Sequence, residues 1–174
     1  ALAVKLYKCV TRTIKNIQFY FNEGVTWSTL SSGSFNARYS SYGFLFDTKG
    51  STCYFSDRTK IPFVSALLNS VVANELLKIL APTLDYNAGS IAKIPVIWEE
   101  NYCPQITKLF EEAVQLSKVD WDSFETSWDF KKHPLLKNVS TISEAFTKWQ
   151  SECDDRFDQL KANEEELNRI FIDI

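Results

Sequence analysis

Apolar positions alternate in short runs over much of the first hundred residues, apart from one helical stripe over 61–80, and recur every three or four residues thereafter. Residues 1–22 alternate weakly around "TRTIKNIQFYF" and read as mixed loop and strand. Val25 to Leu30 fits a short strand, followed by a Ser/Gly run. In "GFLFDTKGSTCYF", Phe44 and Phe46 alternate with Leu45, and Cys53 and Phe55 alternate with Tyr54. That pattern predicts a hairpin, with Gly50 in a left-handed conformation in its loop. Ile61 to Leu80 predicts one helix. Pro62 sits in its first turn, where a missing N–H costs little, and Pro82 stops it. Val64, Leu67, Leu68, Val71, Val72, Leu76, Ile79 and Leu80 form its apolar face. "SIAKIPVI" predicts a short strand that Pro95 confines to an edge or an ending.

Beyond residue 98 the period is helical. Pro104 to Lys118 carries Ile106, Leu109, Phe110, Ala113 and Leu116 on one face. Trp121, Phe124 and Trp128 in "DWDSFETSWDF" share a helical spacing and are expected to dock on neighbours, and His133-Pro134 breaks the pattern. Thr141 and Glu144 make a capping box. From Ile142 a stripe runs through Phe146, Trp149, Cys153, Phe157 and Leu160, and continues at Leu167, Ile170, Phe171 and Ile174. Asn163 and Glu166 repeat the capping pattern, so a break there is an alternative. Without one, the segment makes a rod of roughly 50 Å at about 1.5 Å per residue. A helical hairpin packed on itself is the competing arrangement. The expected fold class is α+β: a small mixed or antiparallel sheet with a packed helix over 1–98, then an all-helical region over 99–174.

Composition sharpens this outline. The chain has 174 residues, 45% of them hydrophobic and 14% aromatic, enough for one or two small domains with a real core. No apolar run approaches the ~18 residues of a membrane span, and "ALAVKLYKCV" is too short and too charged for a secretory signal. Cys9, Cys53, Cys103 and Cys153 are widely spaced with no CxxC pair, which fits free thiols in a reducing cytoplasm better than zinc or disulfides. Methionine is absent, where average usage gives about three or four. That points either to an internal piece of a longer chain or to modified methionines missing from the sequence. The net charge of -3 is split. Residues 1–98 hold ten Lys/Arg against five Asp/Glu, and residues 99–174 hold nine against seventeen. The basic half could face a polyanion, although +5 is also within ordinary scatter.

Catalytic signatures are missing. His133 is the only histidine, and no nucleophile elbow accompanies it. Neither GxxxxGK[ST] nor GxGxxG occurs. The "EE", "DD" and "EEE" runs are most simply solvated helix faces, and no tight D…ExK set supports a nuclease.

Four stretches carry a resemblance: "GVTWSTLSSGSFNARYSSYGFLFDTKGSTCYF", "LLNSVVANELLKILAPTLDYNAGSIAKIPVI", "DWDSFETSWDFKKHPLL" and "LKANEEELNRIFIDI". Together, over about residues 20–174, they resemble the C-terminal part of PglX-type DNA adenine methyltransferases of BREX phage-defence systems. Related type II restriction-modification methyltransferases share parts of it. The "LLNS" helix and "IAKIPV" segment are also similar to target-recognition domains of type I specificity subunits. In that family an upstream domain binds S-adenosylmethionine through a glycine motif and grips the flipped adenine with an Asn/Asp-Pro-Pro-Tyr/Phe motif. Neither motif is in this sequence. The resemblance therefore implies a non-catalytic targeting portion that needs no cofactor of its own. Its implied partners are double-stranded DNA, the upstream methyltransferase domain and other defence-system subunits, in the cytoplasm and away from membranes.

The residue types suit that role. Arginine matches guanine edges, asparagine matches adenine, and hydroxyls adapt to either, while Lys/Arg and backbone N–H groups hold phosphates. Ser31, Ser32, Ser34, Asn36, Arg38, Tyr39 and Ser40 are the candidate DNA contacts, with Asn36 and Arg38 as base readers and Gly33 permitting close backbone approach. Lys49, Arg58 and Lys60 are the candidate phosphate contacts. The bland alternative pairs Arg38 with a carboxylate such as Asp47 and leaves the serines as turn formers. A second reading makes the acidic helical half a docking module for a partner protein.

Overall fold

The computed structural model describes residues 14–174. It is α+β, as expected. Strands β1 (Gly24–Ser28), β2 (Ala37–Ser40) and β3 (Gly50–Cys53) form an antiparallel sheet in the order β2-β1-β3. Helices α1 (Ile61–Asn69), α2 (Val71–Leu80), α3 (Ala88–Ile91), α4 (Cys103–Trp121) and α5 (Ile142–Asp173) follow. The chain divides into two compact units. One holds the described residues up to 61 with Leu76–Ile94, and the other holds Pro62–Glu75 and Pro95–Ile174.

The sheet unit is built on β1. Val25 and Trp27 alternate inward and are almost completely buried, while Thr26 and Ser28 alternate outward. Register places Thr26 opposite both Arg38 and Thr52, and Trp27 opposite Ala37 and Ser51. Directly opposed residues share a face, so Arg38, Thr26 and Thr52 form one polar row across all three strands. Gly24 is required where it stands, since a Cβ there would sit 2.5 Å from the Cys53 carbonyl oxygen.

Several expectations change here. The "GFLFDTKGSTCYF" hairpin does not form, because β3 pairs with β1 instead. Asp47 takes over the local turn, its Oδ1 accepting from the N–H groups of Lys49 and Gly50, both at 2.8 Å. Phe44 and Phe46 leave the sheet. Phe44 accepts a backbone bond from Phe21, and Phe46 packs against Tyr20 and Tyr54. Gly50 opens β3 rather than taking a left-handed turn. The glycine with positive φ is Gly43, at 96°. "SIAKIPVI" is not a strand either: Asn87 Oδ1 accepts from Ser90 N–H and starts the short helix α3. Residues 17–19 make a 3-10 turn, while the first thirteen residues of the expected mixed segment, Cys9 included, fall outside the described residues.

The single helix expected over 61–80 is two helices bent by 69°. Ser70 is the cause. Its hydroxyl donates to Leu67 O at 2.7 Å, ending α1, and accepts from Ala73 N–H at 3.2 Å, capping α2. Val71 N–H, otherwise orphaned, donates to Asn168 Oδ1 at 2.8 Å. Among the described residues no single helix is long and apolar enough to cross a membrane. The bent pair is apolar enough by composition, but Ile61, Phe63, Leu67, Leu68, Ala73 and Leu77 are each buried.

In the helical unit α5 runs unbroken past Asn163 for 32 residues, and it packs antiparallel on α4. Gln105 pairs with Glu166, Asn163 with Glu112, and Arg156 with Asp120, so sequence rises on one helix as it falls on the other. Ile106, Leu167, Ile170 and Phe171 fill the seam, and Phe63 stacks edge-on to Phe171 with centroids 5.3 Å apart. The capping box forms at the expected place in altered form. Thr141 Oγ1 accepts from Glu144 N–H, while the Glu144 carboxylate reaches Ser140 N–H. Trp121, Phe124 and Trp128 do not dock. They are 59%, 44% and 98% exposed. α4 ends at Trp121, and Lys118 ties the following turns through Asp122 and Asp129, with Ser127 donating to Asp122. Those polar ties hold the turns with the rings outward.

Candidate nucleic-acid interface

The polar row of the sheet opens into a pocket of about 200 Å³ within the sheet unit. Thr26, Ser28, Gly50 and Arg38 line it from the strands, and Ser31, Ser34, Phe35 and Asn36 from the β1–β2 loop. Trp27 and Tyr86 complete the wall. The loop is polar yet pinned. Phe35 is buried at 3% exposure and packs on Trp27 and Tyr86, with centroids 6.3 and 5.1 Å away. Segment 84–86 returns along the loop base: Ser31 N–H donates to Leu84 O, Tyr86 N–H to Thr29 O, and the Trp27 indole to Tyr86 O.

Of the ten candidate contacts, Ser31, Ser34, Asn36 and Arg38 meet at this pocket. Asn36 Nδ2 donates to Ser34 O at 3.1 Å, leaving Oδ1 open. Arg38 is exposed and makes no ion pair among the described residues. Asp47, the carboxylate that could have held it, is occupied by the Gly50 and Lys49 N–H groups, and those bonds lower its acid from the ordinary value. Ser32 is exposed in the loop, and Ser40 ends β2 opposite Gly24; neither lines the pocket.

Tyr39, Lys49, Arg58 and Lys60 lie outside it. Tyr39 pairs with Val25, on the opposite sheet face from Arg38, and its hydroxyl donates to Glu23 at 2.7 Å. Burial, helped by that carboxylate, pushes the Tyr39 phenol up to about 12. Glu23 also accepts from the Tyr42 hydroxyl at 3.1 Å and holds Arg58 Nε at 3.4 Å. The Arg58 guanidinium lies 4.9 Å over the Tyr42 ring. Lys60 ends a 3-10 turn whose cap is Asp57, an acid lowered by the hydroxyl and N–H of Thr59.

Thr26, Ser28, Gly50, Phe35 and Tyr86 were not among the sequence candidates. Thr26 and Ser28 are the outward positions of β1 and follow from its period of two. Tyr86 gives no such signal, because its place depends on a return of the chain from more than fifty residues away. No group of three or more His, Cys, Asp or Glu residues able to hold a metal occurs among the described residues. Cys53, Cys103 and Cys153 are free thiols, and burial pushes the Cys53 thiol up to about 11.

No family model matches the chain. It is 47% identical over 165 residues to the adenine-specific methyltransferase PglX of Lacticaseibacillus casei (strain Zhang), a match that takes in 91% of this chain and 14% of that protein. It is 34% identical over 163 residues to the adenine-specific methyltransferase BrxX of Escherichia coli O9:H4 (strain HS), covering 92% of this chain and 13% of that one. The chain therefore spans a small part of the length of the relatives it matches. It is a homologue of one segment of the PglX and BrxX adenine-specific methyltransferases.

Proposed function

We propose that this chain is the DNA target-recognition portion of an adenine-specific methyltransferase. The observation that carries the reading is the polar sheet face, where an exposed, unpaired Arg38 and an open Asn36 carboxamide stand beside hydroxyl-bearing residues on a pinned loop. Such groups present fixed donors and acceptors to base edges. The activity for which both relatives are named supplies the class of enzyme. On this reading S-adenosylmethionine and the extruded adenine belong to another part of the longer protein. This segment contributes register and sequence choice. Lys49 and Lys60 add phosphate contacts that carry no sequence information, while Arg58 is held by Glu23.

The test is duplex-DNA binding by the intact protein, titrated against salt. Affinity that falls steeply with salt and depends on sequence supports the reading. No binding to any duplex at low salt removes it.

One observation favours a second role for the helical unit. Trp128 is 98% exposed, and Ile142 and Phe157 are 81% and 66% exposed on the acidic half. An exposed tryptophan among acids suits docking of a basic protein surface better than DNA. If the intact protein holds a partner of its defence system, Trp128→Ala should weaken that complex at unchanged DNA affinity. An unchanged complex would remove this role.

A further inference from the structure

The pocket at the polar sheet face offers a donor and an acceptor in a set order, and we infer that it reads a guanine·cytosine pair from the major groove. The inference rests on the target-recognition reading above. Arg38 supplies donors only, and no carboxylate of the described residues engages it. Asn36 is more constrained than its residue type suggests. One Nδ2–H donates to the Ser34 carbonyl at 3.1 Å, which fixes the carboxamide and leaves Oδ1 and the second N–H open. Asn36 Oδ1 is the acceptor it can offer beside the Arg38 donors. The two residues are two apart along the strand direction, about 7 Å of rise, and they line one pocket.

A guanine·cytosine pair matches that order in the major groove. Guanine N7 and O6 accept, and the cytosine N4 amino group donates. Arg38 on N7 and O6, with Asn36 Oδ1 on N4, satisfies all three. At the Arg38 position adenine would place its N6 donor against a donor. Thr26 Oγ1 spends its proton on Ser51 O and Ser31 Oγ accepts from Gly33 N–H, which fixes both hydroxyls at the floor of the pocket. Thr26 and Gly50 keep that floor low, so a base edge can approach.

The experiment is a duplex-binding competition with the intact protein. A site is first selected from randomised duplex, then remade with 7-deazaguanine at each guanine in turn, which removes N7 and leaves the Watson–Crick face. Wild-type protein should lose roughly 5- to 100-fold at one guanine. R38A should relax that position alone, and it should show no further loss with 7-deazaguanine there. R38K should recover part of the preference. Asn36→Leu should relax the same base pair from its cytosine side. Equal losses for R38A on every duplex, with no coupling to any N7, would make Arg38 a phosphate contact and overturn the inference while leaving target recognition standing. Failure of the wild-type protein to bind any duplex would overturn both.

Discussion

The Trp27 indole donates to the Tyr86 carbonyl oxygen at 2.8 Å, joining the central strand to a loop 59 residues later. This bond fixes the segment that in turn holds Ser31 and Thr29, and so fixes the floor of the pocket. Trp27→Phe keeps most of the apolar bulk but leaves the Tyr86 carbonyl without its partner. The expected cost is about 1–3 kcal/mol of local stability. Hydrogen exchange should locate it, with faster exchange at the Ser31 and Tyr86 amides and little change in α4 and α5.

Glu23 gathers Tyr39, Tyr42 and Arg58, and so neutralises a cation otherwise available to phosphate. Glu23→Gln should free Arg58. Affinity for non-specific duplex should rise, and the slope of log affinity against log salt should steepen by about one phosphate contact. An unchanged slope would mean that Arg58 does not reach the DNA backbone.

Tyr39 gives a pH prediction at the alkaline end. Its folded phenol is raised from the ordinary 10 to about 12, chiefly by burial. A raised folded value favours the protonated phenol, so the associated stability is fully present below pH 10 and is lost as pH rises towards 12. Absorbance of tyrosinate during a pH titration should show a late-titrating tyrosine, and Tyr39→Phe should remove that late phase.

Asn163 is 3% exposed in the seam between α4 and α5, accepting from Gln159 and donating to the Glu112 carboxylate at 3.2 Å. Asn163→Asp would bury a carboxylate against a carboxylate. The loss should be several kcal/mol at pH 7, in the range for a buried unpaired charge. The introduced acid would have a raised folded pKa, so its penalty should fade as pH drops towards the unfolded value near 4. Urea denaturation at pH 7 and pH 4.5 compares the two directly.

Elements with a strong local signal were legible in the sequence. The stripe from Ile142 and the Thr141 cap give α5 its start, and the alternation of Val25 and Trp27 with Thr26 and Ser28 gives β1 its faces. The sequence also brought together Ser31, Ser34, Asn36 and Arg38, because one loop and one strand carry them. What was not legible depends on competition. Phe44 to Phe46 has strand-like alternation, but β1 takes β3 as its partner and the Asp47 turn closes the gap. Ser70 looks like a tolerated polar residue within an apolar helix, yet its two hydrogen bonds break that helix in two. The grip of Glu23 on Arg58 and Tyr39, and the return of Tyr86 to β1, are long-range contacts with no local periodicity.

A segment exchange tests the central claim most directly. The matching segment of the Lacticaseibacillus casei relative would be replaced by this chain, and the methylated adenines mapped across a genome. On the proposed reading, the motif methylated by the protein that carries this chain, mapped in the same way, is the reference. If this chain reads the target, the chimera methylates the reference motif and abandons the relative's own. A chimera that still methylates adenine at the relative's original motif would contradict the account.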